Sequence, residues 1–193
     1  MDLAVAATVF PVIFLGELPD KTMFASLLMA SRGRPLAVWA GTALAFLVHV
    51  VIAVSIGVAV FKLLPHRVVD GLVAVLFLAA AVYSFAIRNQ RQEAAGVVIP
   101  RSALRTAGTA AGVIFLAEWG DLTQILTANL AARFHSPLSV GAGAVLGLWA
   151  VAALAVIAGT NLLRVISVRI LRLAAAAILV ALAVYSAVTA IMG

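Results

Sequence analysis

The chain has no cysteine, which excludes disulfide bridges, iron–sulfur clusters and thiolate metal sites. Charge is almost as scarce. Only 10% of the 193 residues are Asp, Glu, Lys or Arg, and only 7 of them are acidic. Soluble domains carry about a quarter charged residues, so an extensive water-facing surface is excluded as well. What the chain has instead is apolar surface: 65% of its residues are hydrophobic. Apolar runs of about twenty residues recur from end to end, each long enough to cross roughly 30 Å of hydrocarbon at about 1.5 Å per residue. These runs make the chain an all-α, polytopic membrane protein.

Hydropathy predicts six spans, at 3–30, 36–61, 68–87, 104–131, 138–160 and 170–191. The first carries Glu17, Asp20 and Lys21 and lacks the basic flank and cleavage site of a secretory leader, so it is expected to be a retained span. The longest connection, Arg88 to Ala103, divides the chain into a three-helix repeat over 1–90, a cytoplasmic linker over 91–103 and a second three-helix repeat over 104–193, within one membrane domain.

The halves are related in register. FLGELPDKT at 14–22 aligns with FLAEWGDLT at 115–123, an offset of 101, and PLAVWAGTAL at 35–44 aligns with PLSVGAGAVL at 137–146, an offset of 102. Beyond that inserted residue Gly57 falls on Gly159, Arg67 on Arg169, and AVYS at 81–84 on AVYS at 183–186. Three spans per repeat is an odd number, so the second repeat is expected to sit upside down relative to the first. Inverted repeats of this kind are common in secondary transporters, whose sites lie near the bilayer midplane.

Basic loop residues set the orientation. Leaving out Lys21, nine (Arg32, Arg34, Arg88, Arg91, Arg101, Arg105, Arg164, Arg169 and Arg172) fall on one side and three (Lys62, Arg67 and Arg133) on the other. The richer side is the cytoplasmic one, which places both termini outside. The net charge of +6 is accounted for by these loops, so no nucleic-acid partner is implied. The surroundings expected of the chain are lipid, and the sequence does not set an oligomeric state.

Four of the seven acidic residues, Glu17, Asp20, Glu118 and Asp121, lie within spans, and all four belong to the repeated motif. A charged carboxylate at a helix centre costs about 2.5–3.5 kcal/mol on insertion scales. Within each pair the acids are three residues apart and share one helix face, so they can converge on one ion. A helix-to-helix salt bridge is the plainer reading, but Lys21 alone opposes four acids. Protons or a bound cation can neutralise the remainder, and a site that holds one must release the other. Exchange of a cation for protons follows as an expectation.

Pro19 and Gly120 occupy the same motif position and each breaks or loosens its helix, the first by removing a backbone donor and the second by conformational freedom. Thr22, Thr123 and Gln124 are candidate neutral oxygen ligands or proton-coupling groups, and Lys21 is expected to pair with Asp20 or reach toward the interface. Carboxylate, amide and hydroxyl oxygens without thiolates favour hard cations such as Ca²⁺, Mn²⁺ or Mg²⁺. His49, with Val151 as its counterpart, is expected to pack or hydrogen-bond rather than ligate. Gly143 and Gly147, matched by Gly41 and Ala45, form small-xxx-small patterns suited to close helix packing. Trp119 is expected to help seal the site.

The paired motifs ELPDKT and EWGDLT, one per three-span half, resemble the GDT1 (UPF0016) family of membrane cation exchangers, whose signature is Glu-x-Gly-Asp-(Lys/Arg)-(Ser/Thr). The resemblance covers nearly the whole chain. It implies export of Mn²⁺ or Ca²⁺ in exchange for protons, no prosthetic group, and a site at Glu17, Asp20, Lys21, Thr22, Glu118, Gly120, Asp121 and Thr123. Pro19 and Leu122 depart from the signature, the second removing one positive charge. The short basic central linker points to a bacterial plasma-membrane member. Two other classes fit less well: an intramembrane hydrolase with a carboxylate dyad, for which no further catalytic grouping is present, and a non-transporting assembly subunit.

Overall fold

The computed structural model describes residues 1–18, 21–32, 34–63 and 102–165, together with individual positions within 68–82 and 173–192. Six helices are bounded among these residues, and no strand is present among them. They are α1 (Leu3–Glu17), α2 (Lys21–Arg32), α3 (Pro35–Leu63), α4 (Ala103–Ala117), α5 (Leu122–Phe134) and α6 (Pro137–Val165). The individual positions within the expected third and sixth spans are helical too.

Among the described residues, α3 and α6 contain stretches long and apolar enough to cross a membrane, Pro35–Ala59 and Pro137–Ile157. Both helices open on proline, which lacks the amide hydrogen that a first helical turn leaves unpaired in any case. Helices α1 and α2 pass the same test as one span bent by 70°. The expected fourth span is likewise divided, into α4 and α5, by the turn at 118–121.

Each long helix packs mainly on the other half of the chain. Helix α3 lies against α4 and α5, α6 lies against α1 and α2, and the two long helices also meet each other. The close approaches are made by small residues in equivalent places. A Cβ at Gly41 of α3 would collide with the carbonyl oxygen of Ala107 in α4, and one at Gly143 of α6 would lie 2.6 Å from that of Ala6 in α1. Gly41 and Gly143 are equivalent in the repeat register, as are Ala6 and Ala107. Gly147 continues the seam, 3.0 Å from the Phe10 carbonyl by the same measure.

The core obeys the same register. Val9 and Ala110, Ile13 and Ile114, Val38 and Val140, Phe46 and Leu148, and Met29 and Leu130 are equivalent pairs, and all ten side chains are buried in one cluster. Trp39 and Trp149 meet edge to face at the α3–α6 contact, centroids 5.9 Å apart. Their indole N–H groups donate to the carbonyls of Trp149 (3.3 Å) and Ala43 (3.0 Å) respectively. Both therefore act as interior packing groups with satisfied polar tips.

A candidate cation site between the two halves

The turn between α4 and α5 is built from the second motif. Glu118 closes α4, its amide still donating to the Ile114 carbonyl at 2.9 Å. Gly120 then takes φ +73°, a left-handed conformation that glycine adopts without a Cβ clash. Asp121 returns to extended backbone, donates its amide to the Glu118 carbonyl at 3.1 Å and becomes the N-cap of α5. An N-cap aspartate ordinarily accepts from the first-turn amides, yet Asp121 makes no side-chain cap bond. Gln124 serves the turn instead: its Oε1 accepts from the Gly120 amide at 2.8 Å.

The Asp121 carboxylate lies beside Glu17 at the end of α1. One carboxylate oxygen from each of Glu17, Glu118 and Asp121 lies within 4.8 Å of the others. Glu17 and Glu118 are buried completely or nearly so, at 0% and 2% exposure, and Asp121 is half-buried. Among the described residues the first half thus supplies one carboxylate and the second half two. At an effective dielectric of about 20, two ionised carboxylates roughly 5 Å apart repel by about 3 kcal/mol. Three such charges at once are costly unless protons, a metal ion or a basic side chain offset them. An all-oxygen set of this kind matches hard divalent cations.

Equivalent threonines steady the two glutamates. Thr22 Oγ1 donates to Glu17 Oε1, and Thr123 Oγ1 donates to Glu118 Oε2 at 3.4 Å, with both hydroxyls buried. Of the other residues singled out from the sequence, Pro19, Asp20 and the Lys21 side chain lie outside the described residues. Gln124, expected among the neutral ligands, directs its amide to Gly120 and, through Nε2, to His49 Nδ1 at 3.1 Å. His49 Nε2 in turn donates to the Phe115 carbonyl at 2.9 Å. This link from α3 to the second motif is the part of the site that the sequence pattern missed; an imidazole placed mid-span was its one visible signal. Trp119, expected to seal the site, is 63% exposed while resting on Phe115, with ring centroids 5.4 Å apart.

The two motif surroundings differ. Around the first motif, Leu18, Met23, Phe24, Leu27, Val151 and Ala155 form a closed apolar cluster. Met23 and Val151 are the register counterparts of Gln124 and His49. The first motif therefore has a thioether and an aliphatic side chain in one apolar cluster where the second has an amide hydrogen-bonded to an imidazole.

The family model described as "Divalent cation/proton antiporter GDT1" matches residues 5–92 and 106–193. The chain is 32% identical over 182 residues to the chloroplastic protein PAM71 of Arabidopsis thaliana, covering 81% of this chain and 49% of that protein. It is 31% identical over 156 residues to a Vibrio cholerae protein named "Putative manganese exporter", covering 76% of this chain and 72% of the relative. A further relative is the GDT1-like protein sll0615 of Synechocystis, 29% identical over 164 residues, with 76% and 79% covered. The chain spans about half the length of the plant relatives it matches. No solved structure matches it. With two matched segments that together take in both motifs and nearly all of the sequence, the chain belongs to the GDT1 family.

Proposed function

We propose that the chain is a secondary transporter that exports a divalent cation, Mn²⁺ or Ca²⁺, in exchange for protons, with Glu17, Asp20, Glu118 and Asp121 as its site. The observation that carries this reading is the convergence of Glu17, Glu118 and Asp121 from two halves of a greasy chain to within 4.8 Å. Membership of a family described as divalent cation/proton antiporters supports it, as does the manganese-exporter name of the Vibrio relative. Asp20 is included because it stands at the motif position equivalent to Asp121.

The chemistry follows from charge. A dehydrated divalent cation placed among the carboxylates offsets their mutual repulsion, and protons do the same one charge at a time. The ligands are the same oxygens, so cation and protons exclude one another at equilibrium, and each gradient can drive the other. Thr22 and Thr123 hold the glutamates in orientation, while Lys21 compensates part of the negative charge on the first side. Release to alternate sides requires the arrangement expected of six spans in two inverted three-helix repeats, 1–90 and 104–193, joined by the linker 91–103. In that arrangement the site lies at the midplane, both termini face outward, and the membrane is the bacterial plasma membrane. The cation is cargo, and no prosthetic group or enzymatic step enters the cycle.

The test is uptake of Mn²⁺ and Ca²⁺ into proteoliposomes under an imposed pH gradient, with the parent chain compared to Asp121→Asn. Asn keeps the size of the side chain and removes its charge and titration. Cation movement by the parent, falling at least tenfold in the variant, is the expected result. A parent that moves neither ion, or a variant that transports normally, rules the proposal out.

A further inference from the structure

We propose that His49 and Gln124 form a positioning strut that reaches from the first half of the chain to the second motif and sets the shape of the ion site. The inference rests on the cation-site reading above and adds to it two residues that never touch the ion.

Donor and acceptor logic fixes the strut. The Phe115 carbonyl can only accept, so His49 carries its hydrogen on Nε2 and leaves Nδ1 as an acceptor. The Gly120 amide can only donate, so it takes Gln124 Oε1, and the other end of the amide must be the NH₂ that donates to Nδ1. The chain Gly120 N–H to Gln124 to His49 to Phe115 therefore runs in one direction with every role assigned. It grips the second motif twice, at the last turn of α4 and at the left-handed residue directly before Asp121. The imidazole also lies against the Phe115 ring at a centroid distance of 4.8 Å, which leaves it little freedom to turn.

The consequence is positional. Gln124 Oε1 holds the amide of Gly120, the residue directly before Asp121, so the turn that aims this carboxylate at Glu17 and Glu118 is braced by the Gln124 side chain. Gln124 in turn depends on His49 for the far end of its amide. Among the described residues the first motif has no such strut: the equivalent side chains, Met23 of the first half and Val151 of the second, are buried together in an apolar cluster. Polar support held by directional bonds on one side and apolar packing on the other gives the two halves different stiffness around one site.

The test measures Mn²⁺ binding by the full chain in detergent, from the loss of the free-ion electron paramagnetic resonance signal, alongside the melting temperature. His49→Leu is expected to weaken binding about tenfold, the size of one lost buried hydrogen bond. His49→Gln, which offers an amide N–H and an oxygen in place of Nε2 and Nδ1, should stay within about threefold of the parent. The double variant H49V/Q124M installs the pair that is already buried beside the first motif, so it should melt within a few degrees of the parent yet bind as weakly as His49→Leu alone. The strut is overturned if His49→Leu binds like the parent, if the glutamine gives no rescue, or if the double variant binds at least tenfold more weakly than His49→Leu alone. It is also overturned if weak binding always accompanies a collapsed melting temperature. A parent that binds neither Mn²⁺ nor, by titration calorimetry, Ca²⁺ overturns both the strut and the site beneath it, and a parent that binds Ca²⁺ alone moves the same comparison of variants to that ion. A parent that binds without transporting leaves the strut standing and removes the transport reading alone.

Discussion

At the residue scale, the carboxylates were legible because burying charge in hydrocarbon is expensive enough to make an intramembrane acid stand out from any sequence. Glu17, Glu118 and Asp121 needed only that argument, and the structure brings them within 4.8 Å of one another. The hydrogen-bond partners were less legible. Thr22 and Thr123 could be noticed as motif members, but a hydroxyl in a span bonds equally well to a backbone carbonyl, as Thr127 does to Thr123 at 2.7 Å. His49 and Gln124 lie 75 residues apart, and nothing local to either determines the pairing. For the threonines the structure makes a definite prediction. Thr22→Val and Thr123→Val keep the shape and remove the donor to each glutamate, so each should raise the apparent KM for cation transport by about tenfold. Serine at either position should recover most of the loss. Valine variants with the parent's KM would show that the hydroxyls do not orient the glutamates.

At the element scale, the broken helices and the close seams have separate causes. The α4–α5 break follows from one glycine at φ +73° next to an aspartate in extended backbone, and Gly120 was recognisable in the sequence as a point of weakness. The seams were recognisable only as small-xxx-small spacing. Which helix fills each seam depends on the path of the whole chain, and here each long helix receives the first helix of the other half. Gly41 meets the Ala107 backbone and Gly143 the Ala6 backbone, whereas Gly108 and Gly112 on α4 have open space where a Cβ would stand. Gly41→Leu and Gly143→Leu must therefore push two helix backbones apart, and overpacking of this kind costs about 1–3 kcal/mol or more. Both should melt markedly lower than the parent in detergent. Gly112→Ala, which adds a better helix former into free space, should melt at the parent's temperature or slightly above it. Equal melting of all three variants would mean that the seams do not hold the molecule together.

At the scale of the whole molecule, the repeat relation was the most legible feature of all, because it appears twice, in the motifs and in the register of buried positions. Sixteen of the twenty buried residues of the core cluster pair across it. What the repeat cannot encode is where the two copies differ, since that depends on which side chains one conformation buries. Leu18 and Trp119 are equivalent positions directly after the two motif glutamates, yet Leu18 is 6% exposed in the apolar cluster and Trp119 is 63% exposed. The second motif is thus exposed at Trp119 while the first is closed at Leu18, and in the proposed topology, where α4 runs outward from the cytoplasmic linker, the exposed face is expected to be reached from outside. The absence of cysteine makes this directly testable, because any introduced thiol is the sole one in the chain. Trp119→Cys should react with a membrane-impermeant maleimide added to whole cells, and Leu18→Cys should react from neither side while this conformation prevails. A Trp119→Cys thiol that resists the reagent would mean that its exposed face meets lipid rather than water. Labelling only in inside-out vesicles would reverse the orientation that the nine-to-three basic count assigns.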